Sequence, residues 1–133
     1  MQTIPTPTIA VVDDDRSVRA ALTRLIRSLG YAAVAFERAE DLLRSDARLT
    51  IGCLITDLQM PGMDGIELYR QLVVAGTPVP TILITAYPTE GTRDLALREG
   101  LVCYLAKPIN EDALLACLET SLGKRGRDPV DNS

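Results

Sequence analysis

Apolar residues along the chain fall into two alternating rhythms. Residues 8–12, Thr-Ile-Ala-Val-Val, form a short, mostly β-branched run that stops abruptly at acids, which predicts a buried strand. From Arg16 the period changes. Val18, Ala21, Leu22, Leu25, Ile26 and Leu29 recur at the spacing of one helix face. Asp15 stands where it can cap that helix, and Gly30 where a helix end calls for a left-handed residue. The pattern then predicts a strand over 32–36, a short helix over 39–43 and a third strand over 52–56 that runs into Asp57. Ile66, Leu68, Tyr69, Leu72 and Val73 give a helix beginning near Gly65, broken off by Pro78 and Pro80 before a strand over 81–85. A fifth strand is expected over 101–106. A last helix follows, capped by Asn110, with Leu114, Cys117, Leu118 and Leu122 on one face.

The helix expected over 89–99 is the weakest. It contains Gly91 and two threonines, and Leu95, Ala96 and Leu97 run consecutively instead of forming a stripe. Two readings stay open: the helix is marginal for local reasons, or it is marginal because it must rearrange.

Five apolar strands alternating with five helices predict an α/β domain, a parallel sheet covered on both faces. Right-handed crossovers leave the doubly wound topologies, and five strands suit the order 2-1-3-4-5. The domain should span 8–122, with residues 1–7 a flexible N-terminus and 123–133 a polar, disordered tail holding Lys124, Arg125 and Arg127. In such sheets ligands bind beyond the carboxyl ends of the strands, where the strand order reverses.

Composition narrows the chemistry. The 133 residues suffice for one core, and 47% hydrophobic with 24% charged residues is ordinary for a globular domain. A net charge of −4 argues against a free-standing nucleic-acid binder. No stretch suits a membrane span or a secretory signal. The absence of histidine removes His-based catalysis and most zinc sites. Cys53, Cys103 and Cys117, odd in number and set among apolar neighbours, read as buried reduced thiols of a cytoplasmic protein.

Polar residues converge on the strand ends: Asp13, Asp14 and Asp15 after the first, Asp57 at the third, Thr85 at the fourth, Lys107 at the fifth. Taken singly, each has a plain structural use. The acids can cap a helix, Asp57 can belong to the turn with Pro61 and Gly62, Thr85 can be a strand threonine, and Lys107-Pro108 can be a turn. Four strand ends together argue for a site. Two carboxylates about 4 Å apart repel by roughly 4 kcal/mol at an effective dielectric near 20, so the acids call for a cation. Oxygen ligands without His or Cys favour Mg²⁺ or Mn²⁺. A carboxylate can also accept a phosphoryl group as an acyl phosphate, with a metal and a lysine offsetting charge on the transferring oxygens.

With these residues in hand, the chain resembles the receiver domains of two-component response regulators over roughly residues 8–122. The most specific stretch is Thr56-Asp57-Leu58-Gln59-Met60-Pro61-Gly62-Met63-Asp64-Gly65, similar to the family's phosphoacceptor loop. Val11-Val12-Asp13-Asp14-Asp15, Ile84-Thr85-Ala86-Tyr87 and Tyr104-Leu105-Ala106-Lys107-Pro108 match its other motifs in order and spacing. Residues 36–43 also resemble receivers of nitrogen-fixation-type transcription regulators. The family is itself a known example of the flavodoxin-like order 2-1-3-4-5, so that topology is not an independent prediction.

The resemblance implies that Asp57 accepts a phosphoryl group from a histidine kinase or phosphotransfer protein. Asp14, Asp57 and the backbone carbonyl of Gln59 would hold Mg²⁺, with Asp13 acting through metal-bound water. Lys107 would contact the phosphoryl oxygens, Thr85 would swing toward them, and Tyr104 would turn inward as Thr85 moves. Gln59 and Tyr87 occupy positions that set phosphate lifetime, and Pro88, less usual there, biases Tyr87 toward extended geometry. Lys107-Pro108 is expected to be cis. The face formed by the fourth helix, fifth strand and fifth helix would bind a downstream protein or a second copy. No nucleic-acid contact is expected of this chain, and its polar tail suits either a stand-alone protein, the reading preferred, or a receiver cut from a longer regulator.

Rival classes fit less well. An aspartyl phosphatase would place a second acid at Gln59, and a flavin domain needs a phosphate cradle where three aspartates stand. The surviving competitor is an interaction module of the same fold that is never phosphorylated.

Overall fold

The structure is a computed structural model, and it describes residues 7–123; of the flexible N-terminus expected over 1–7 and the tail expected over 123–133, residues 1–6 and 124–133, with Lys124, Arg125 and Arg127, lie outside the described residues. In chain order the elements are β1 (Thr8–Val12), α1 (Arg16–Ser28), β2 (Ala32–Phe36), α2 (Ala39–Arg44), a 3₁₀ turn (Asp46–Leu49), β3 (Cys53–Asp57), α3 (Gly65–Val74), β4 (Thr81–Thr85), α4 (Glu90–Glu99), β5 (Cys103–Ala106), α5 (Glu111–Leu118) and a closing π turn (Glu119–Gly123). The strands form one parallel sheet in the order β2-β1-β3-β4-β5. This is the expected doubly wound α/β architecture with its five helices.

Period-two alternation in the strands divides the core. Ile9, Val11, Cys53, Ile55, Ile82 and Ile84 face α1 and α5, where they meet Leu22, Ile26, Leu114 and Leu118. Ala10, Val12 and Leu54 face the other way, against Leu42 of α2 and Leu68 and Leu72 of α3. Leu83 joins Ile66, Ala96 and Leu101 in a third cluster under α3 and α4. Fully burying one such Leu or Ile stabilises by about 1.5–3 kcal/mol, so the central strands are apolar on both faces. Every residue of β3 and β4 is buried, whereas the edge strands β2 and β5 keep exposed positions.

Local chemistry fixes the helix ends. The Asp15 carboxylate accepts from the N–H groups of Ser17 and Val18, and Asn110 does the same for Ala113. Asp64 caps α3 through the N–H of Glu67. One of the threonines that weakened the α4 prediction is its cap: Thr89 Oγ1 accepts from Thr92 N–H, and Gly100 closes the helix at φ 109°. Only Ala96 of α4 is fully buried, and Leu95 and Leu97 remain partly exposed. The Arg70 guanidinium reaches from α3 to grip the Glu99 carboxylate through two hydrogen bonds of 3.0 and 2.9 Å.

One expectation is corrected. Cys103 of β5 and Cys117 of α5 are disulfide-bonded, not separate thiols; only Cys53 keeps a buried thiol. The reason is the crossing of β5 and α5, which sets the two Cα atoms 6.2 Å apart, within the span of a disulfide. Smaller differences lie at element ends. β3 covers 53–57, and β5 begins at 103 because Leu101 is spent as a buried anchor under α4 and not as a strand residue.

Candidate functional site

The carboxyl edge of the sheet gathers the acids, each with its own task. Asp13 leaves β1 fully buried; its Oδ1 accepts the Asp15 N–H at 2.8 Å and its carbonyl accepts from Arg19 Nη1 at 2.7 Å. Asp15 is turned away to cap α1, and Asp14 stays exposed at the rim. Asp57, 5% exposed, ends β3 beside them. Carboxylate oxygens of Asp13, Asp14 and Asp57 all lie within 4.8 Å of one another.

Lys107 reaches in from the end of β5. Its Nζ stands 2.9 Å from Asp13 Oδ2 and 3.3 Å from Asp57 Oδ2. The strand edge aims it: Lys107 N–H donates to the Thr85 carbonyl at 2.8 Å, and the Lys107–Pro108 peptide is cis, as expected. Burial works against the ammonium, but the bond and charge of Asp13, followed by those of Asp57, outweigh it and hold Lys107 above its usual range. Burial, then the charge of Asp13, pushes the Asp57 carboxyl above its ordinary range; Lys107 and the Gln59 backbone hydrogen bond pull it down without cancelling the rise. Two buried carboxylates thus share one ammonium, with Asp14 close by, and ionised Asp57 is costly there.

The donor set fits a hard divalent cation. It is all oxygen, with three carboxylates within reach of one ion, and the buried Asp13 Oδ2, paired with the Lys107 ammonium, has a further lone pair to offer.

Beside the acids, Thr85 Oγ1 donates to Gln59 Oε1 at 3.0 Å and accepts the Tyr87 N–H at 3.0 Å. Tyr87 itself is 73% exposed. The Tyr104 hydroxyl accepts from Thr89 N–H at 3.1 Å, which places it at the start of α4 and outside the acid cluster. Gly65 allows the loop after Asp57 to close: a Cβ there would come within 2.5 Å of the Asp57 carbonyl oxygen. Two contributions escaped sequence reasoning. Arg19 braces the Asp13 backbone, a contact that only the helix register against the strand end could have suggested, and the Gln59 side chain holds Thr85.

Comparison with known proteins agrees with this geometry. The family described as the response regulator receiver domain matches residues 9–119. The transcriptional regulatory protein FixJ of Bradyrhizobium diazoefficiens is 33% identical over 125 residues, covering 94% of this chain and 60% of that protein. Response regulator protein TmoT of Ectopseudomonas mendocina is 35% identical over 114 residues, 86% of this chain and 52% of its own length. The chain therefore spans between about half and three-fifths of these relatives. A response regulator receiver protein from Burkholderia phymatum superposes with a TM-score of 0.75 at 41% identity, covering 89% of this chain and 96% of that one. No helix among the described residues is long and apolar enough to cross a membrane. Fold, acid cluster and sequence together establish that the chain belongs to the response regulator receiver domains of two-component systems.

Proposed function

We propose that this receiver is a phosphorylation-driven switch in a cytoplasmic phosphorelay. Asp57 takes a phosphoryl group from the histidine of a kinase or phosphotransfer protein: a carboxylate oxygen forms the new bond to phosphorus as the bond to the donor nitrogen breaks. Asp14, Asp57 and the Gln59 backbone carbonyl would hold Mg²⁺, or Mn²⁺, with Asp13 supporting the ion less directly. When bound, the cation offsets negative charge on the transferring oxygens. Lys107 leaves its bridge between Asp13 and Asp57 to meet a phosphoryl oxygen, and Thr85 turns from Gln59 to donate to another.

The observation that carries this reading is the Lys107 ammonium set between Asp13 and Asp57, beside three converging carboxylates at the sheet's switch point. A plain structural ion pair needs one acid, whereas this one is overdrawn on the negative side. Because catalysis of phosphoryl transfer is mainly positioning and electrostatics, the same residues suffice for the chain to catalyse its own cation-dependent phosphorylation and dephosphorylation. Gln59 and Tyr87 tune the lifetime of the product.

Phosphorylation adds about −1.5 to −2 charges. Taking a two-state equilibrium from 1:99 to 99:1 requires about 5.5 kcal/mol of differential interaction, to which new bonds from Thr85 and Lys107 contribute. The change passes through Thr85 and Tyr104 to the α4–β5–α5 face, which binds a downstream protein or a second copy. Intact mass after incubation with Mg²⁺ and a small acyl phosphate tests the acceptor. The protein should gain one phosphoryl group and Asp57→Asn none; a folded, cation-binding protein that gains none from the acyl phosphate or a kinase would instead be an unphosphorylated interaction module.

A further inference from the structure

The Cys103–Cys117 bond lies where the switch must move. It joins β5 to α5, and the segment it encloses carries Tyr104, Lys107 and Pro108. Both cysteines line a surface groove of about 370 Å³ with Arg93, Leu97 and Tyr104, and Cys103 is only partly buried. The third cysteine, Cys53, is wholly buried in the core.

We propose that Cys103 and Cys117 form a thiol–disulfide control site on the α4–β5–α5 face, closed by a small disulfide and opened by a small thiol. The proposal rests on the switch reading given above. In the reducing compartment assigned there, persistent structural disulfides are rare and those that form are chiefly catalytic or redox-sensing. Of the two cysteines lining the groove, Cys103 is the more open to a small reagent, Cys117 being buried, and Arg93 suits an anionic reagent of the glutathione class. In opening, a reagent thiolate attacks one cysteine sulfur. The S–S bond breaks, its electron pair goes to the other cysteine sulfur, and that sulfur takes a proton. A second reagent thiol then resolves the mixed disulfide, so two thiols are oxidised to one small disulfide as two protein thiols form. Closing is the reverse, with the small disulfide as oxidant. Closed, the bond fastens α5 to β5 and opposes any rearrangement that carries Tyr104 inward. Open, it leaves that face free to respond.

The test uses the full chain, equilibrated with mixtures of reduced and oxidised glutathione, acid-quenched, denatured and alkylated. The oxidised form should carry one alkyl group and the reduced form three, with a transition between them as the ratio is varied. Cys103→Ser should abolish the transition, as should Cys117→Ala if the serine variant folds poorly, and Cys53→Ala should retain it. Both redox forms are then phosphorylated with acyl phosphate and Mg²⁺, and amide hydrogen exchange is followed in α4, β5 and α5. The phosphorylation-dependent change should be on the order of five-fold or more larger in the reduced form. Three alkyl groups under excess disulfide, one under excess thiol, or equal exchange responses in the two forms would each overturn the proposal. If neither form accepts phosphate, the switch reading fails separately, and the alkylation count still decides whether the cysteine pair is redox-active.

Discussion

The Thr85 hydroxyl is held on both sides: it donates to Gln59 Oε1 and accepts the Tyr87 N–H, each at 3.0 Å. A hydroxyl has one proton to give, so Thr85 cannot donate to a phosphoryl oxygen on Asp57 without releasing Gln59. A bond of this kind is worth about 0.5–1.5 kcal/mol net, enough to bias the resting state without locking it. Gln59→Ala should therefore loosen Thr85. In amide NMR, the Tyr87 resonance of unphosphorylated Gln59→Ala is expected part-way toward its position in the phosphorylated parent. Thr85→Ala should make that resonance insensitive to phosphorylation. A Tyr87 amide unmoved by Gln59→Ala would show that the bond does not restrain the switch.

The elevated Asp57 carboxyl fixes the sign of a stability experiment. Burial and Asp13 raise its folded pKa above the unfolded value. The native state therefore holds that proton more tightly, and this contribution to stability is present below the unfolded pKa and lost as pH rises through the folded one. At neutral pH, without divalent cations, Asp57→Asn should melt at a higher temperature than the parent. The gap should close as pH falls into the carboxylate range. Adding Mg²⁺ should stabilise the parent more than the variant, narrowing the gap from the other side. An Asn variant that melts below the parent in chelator at pH 7 would contradict the assigned electrostatics.

The contrast between these sites and the framework explains what the chain alone could disclose. β1, β2 and β4 were legible to the residue because apolar or β-branched runs bounded by acids, Gly or Pro have few other uses. The carboxyl ends of β1, β3 and β5 share one edge in this topology, so Asp13, Asp14, Asp57 and Lys107 could be brought together from the chain alone. The start of β5 was not legible, since Leu101 is apolar whether it extends a strand or anchors a helix. The 3₁₀ turn Asp46–Leu49 carries no apolar period to betray it. Contacts set by how a strand crosses a helix, such as Cys103 with Cys117, or by side chains across two loops, such as Gln59 with Thr85, have no local signature at all.

Lys107 is the cation that makes the acid cluster tolerable. Lys107→Met keeps most of the stem and removes the charge, leaving Asp13 and Asp57 facing each other with no ammonium. Leaving such groups unsatisfied costs roughly 1–3 kcal/mol, here moderated because Lys107 is itself partly solvated. Urea denaturation should show that loss in chelator and a partial recovery with Mg²⁺, since the cation can take over the neutralising role. Loss of the same size with and without Mg²⁺ would mean that the acids do not bind the ion.

One chemical change at two glycines should have opposite consequences. At Gly65 an added Cβ would lie 2.5 Å from the Asp57 carbonyl oxygen and 2.7 Å from Leu83 Cδ1, and the nearer obstacle is backbone that cannot swing aside. Overpacking of this kind costs about 1–3 kcal/mol, and relief by loop movement would displace Asp57 itself. At Gly91, in the first turn of α4, nothing lies within 4 Å of the new atom. Alanine there removes a flexible residue from a weak helix, worth about 0.5 kcal/mol of added stability. Denaturation midpoints should therefore fall for Gly65→Ala and rise for Gly91→Ala. Phosphoryl uptake from an acyl phosphate should drop several-fold in the first variant and hold in the second. If Gly65→Ala took up phosphate at the parent rate, the close approach of α3 to Asp57 would not be what positions the acceptor.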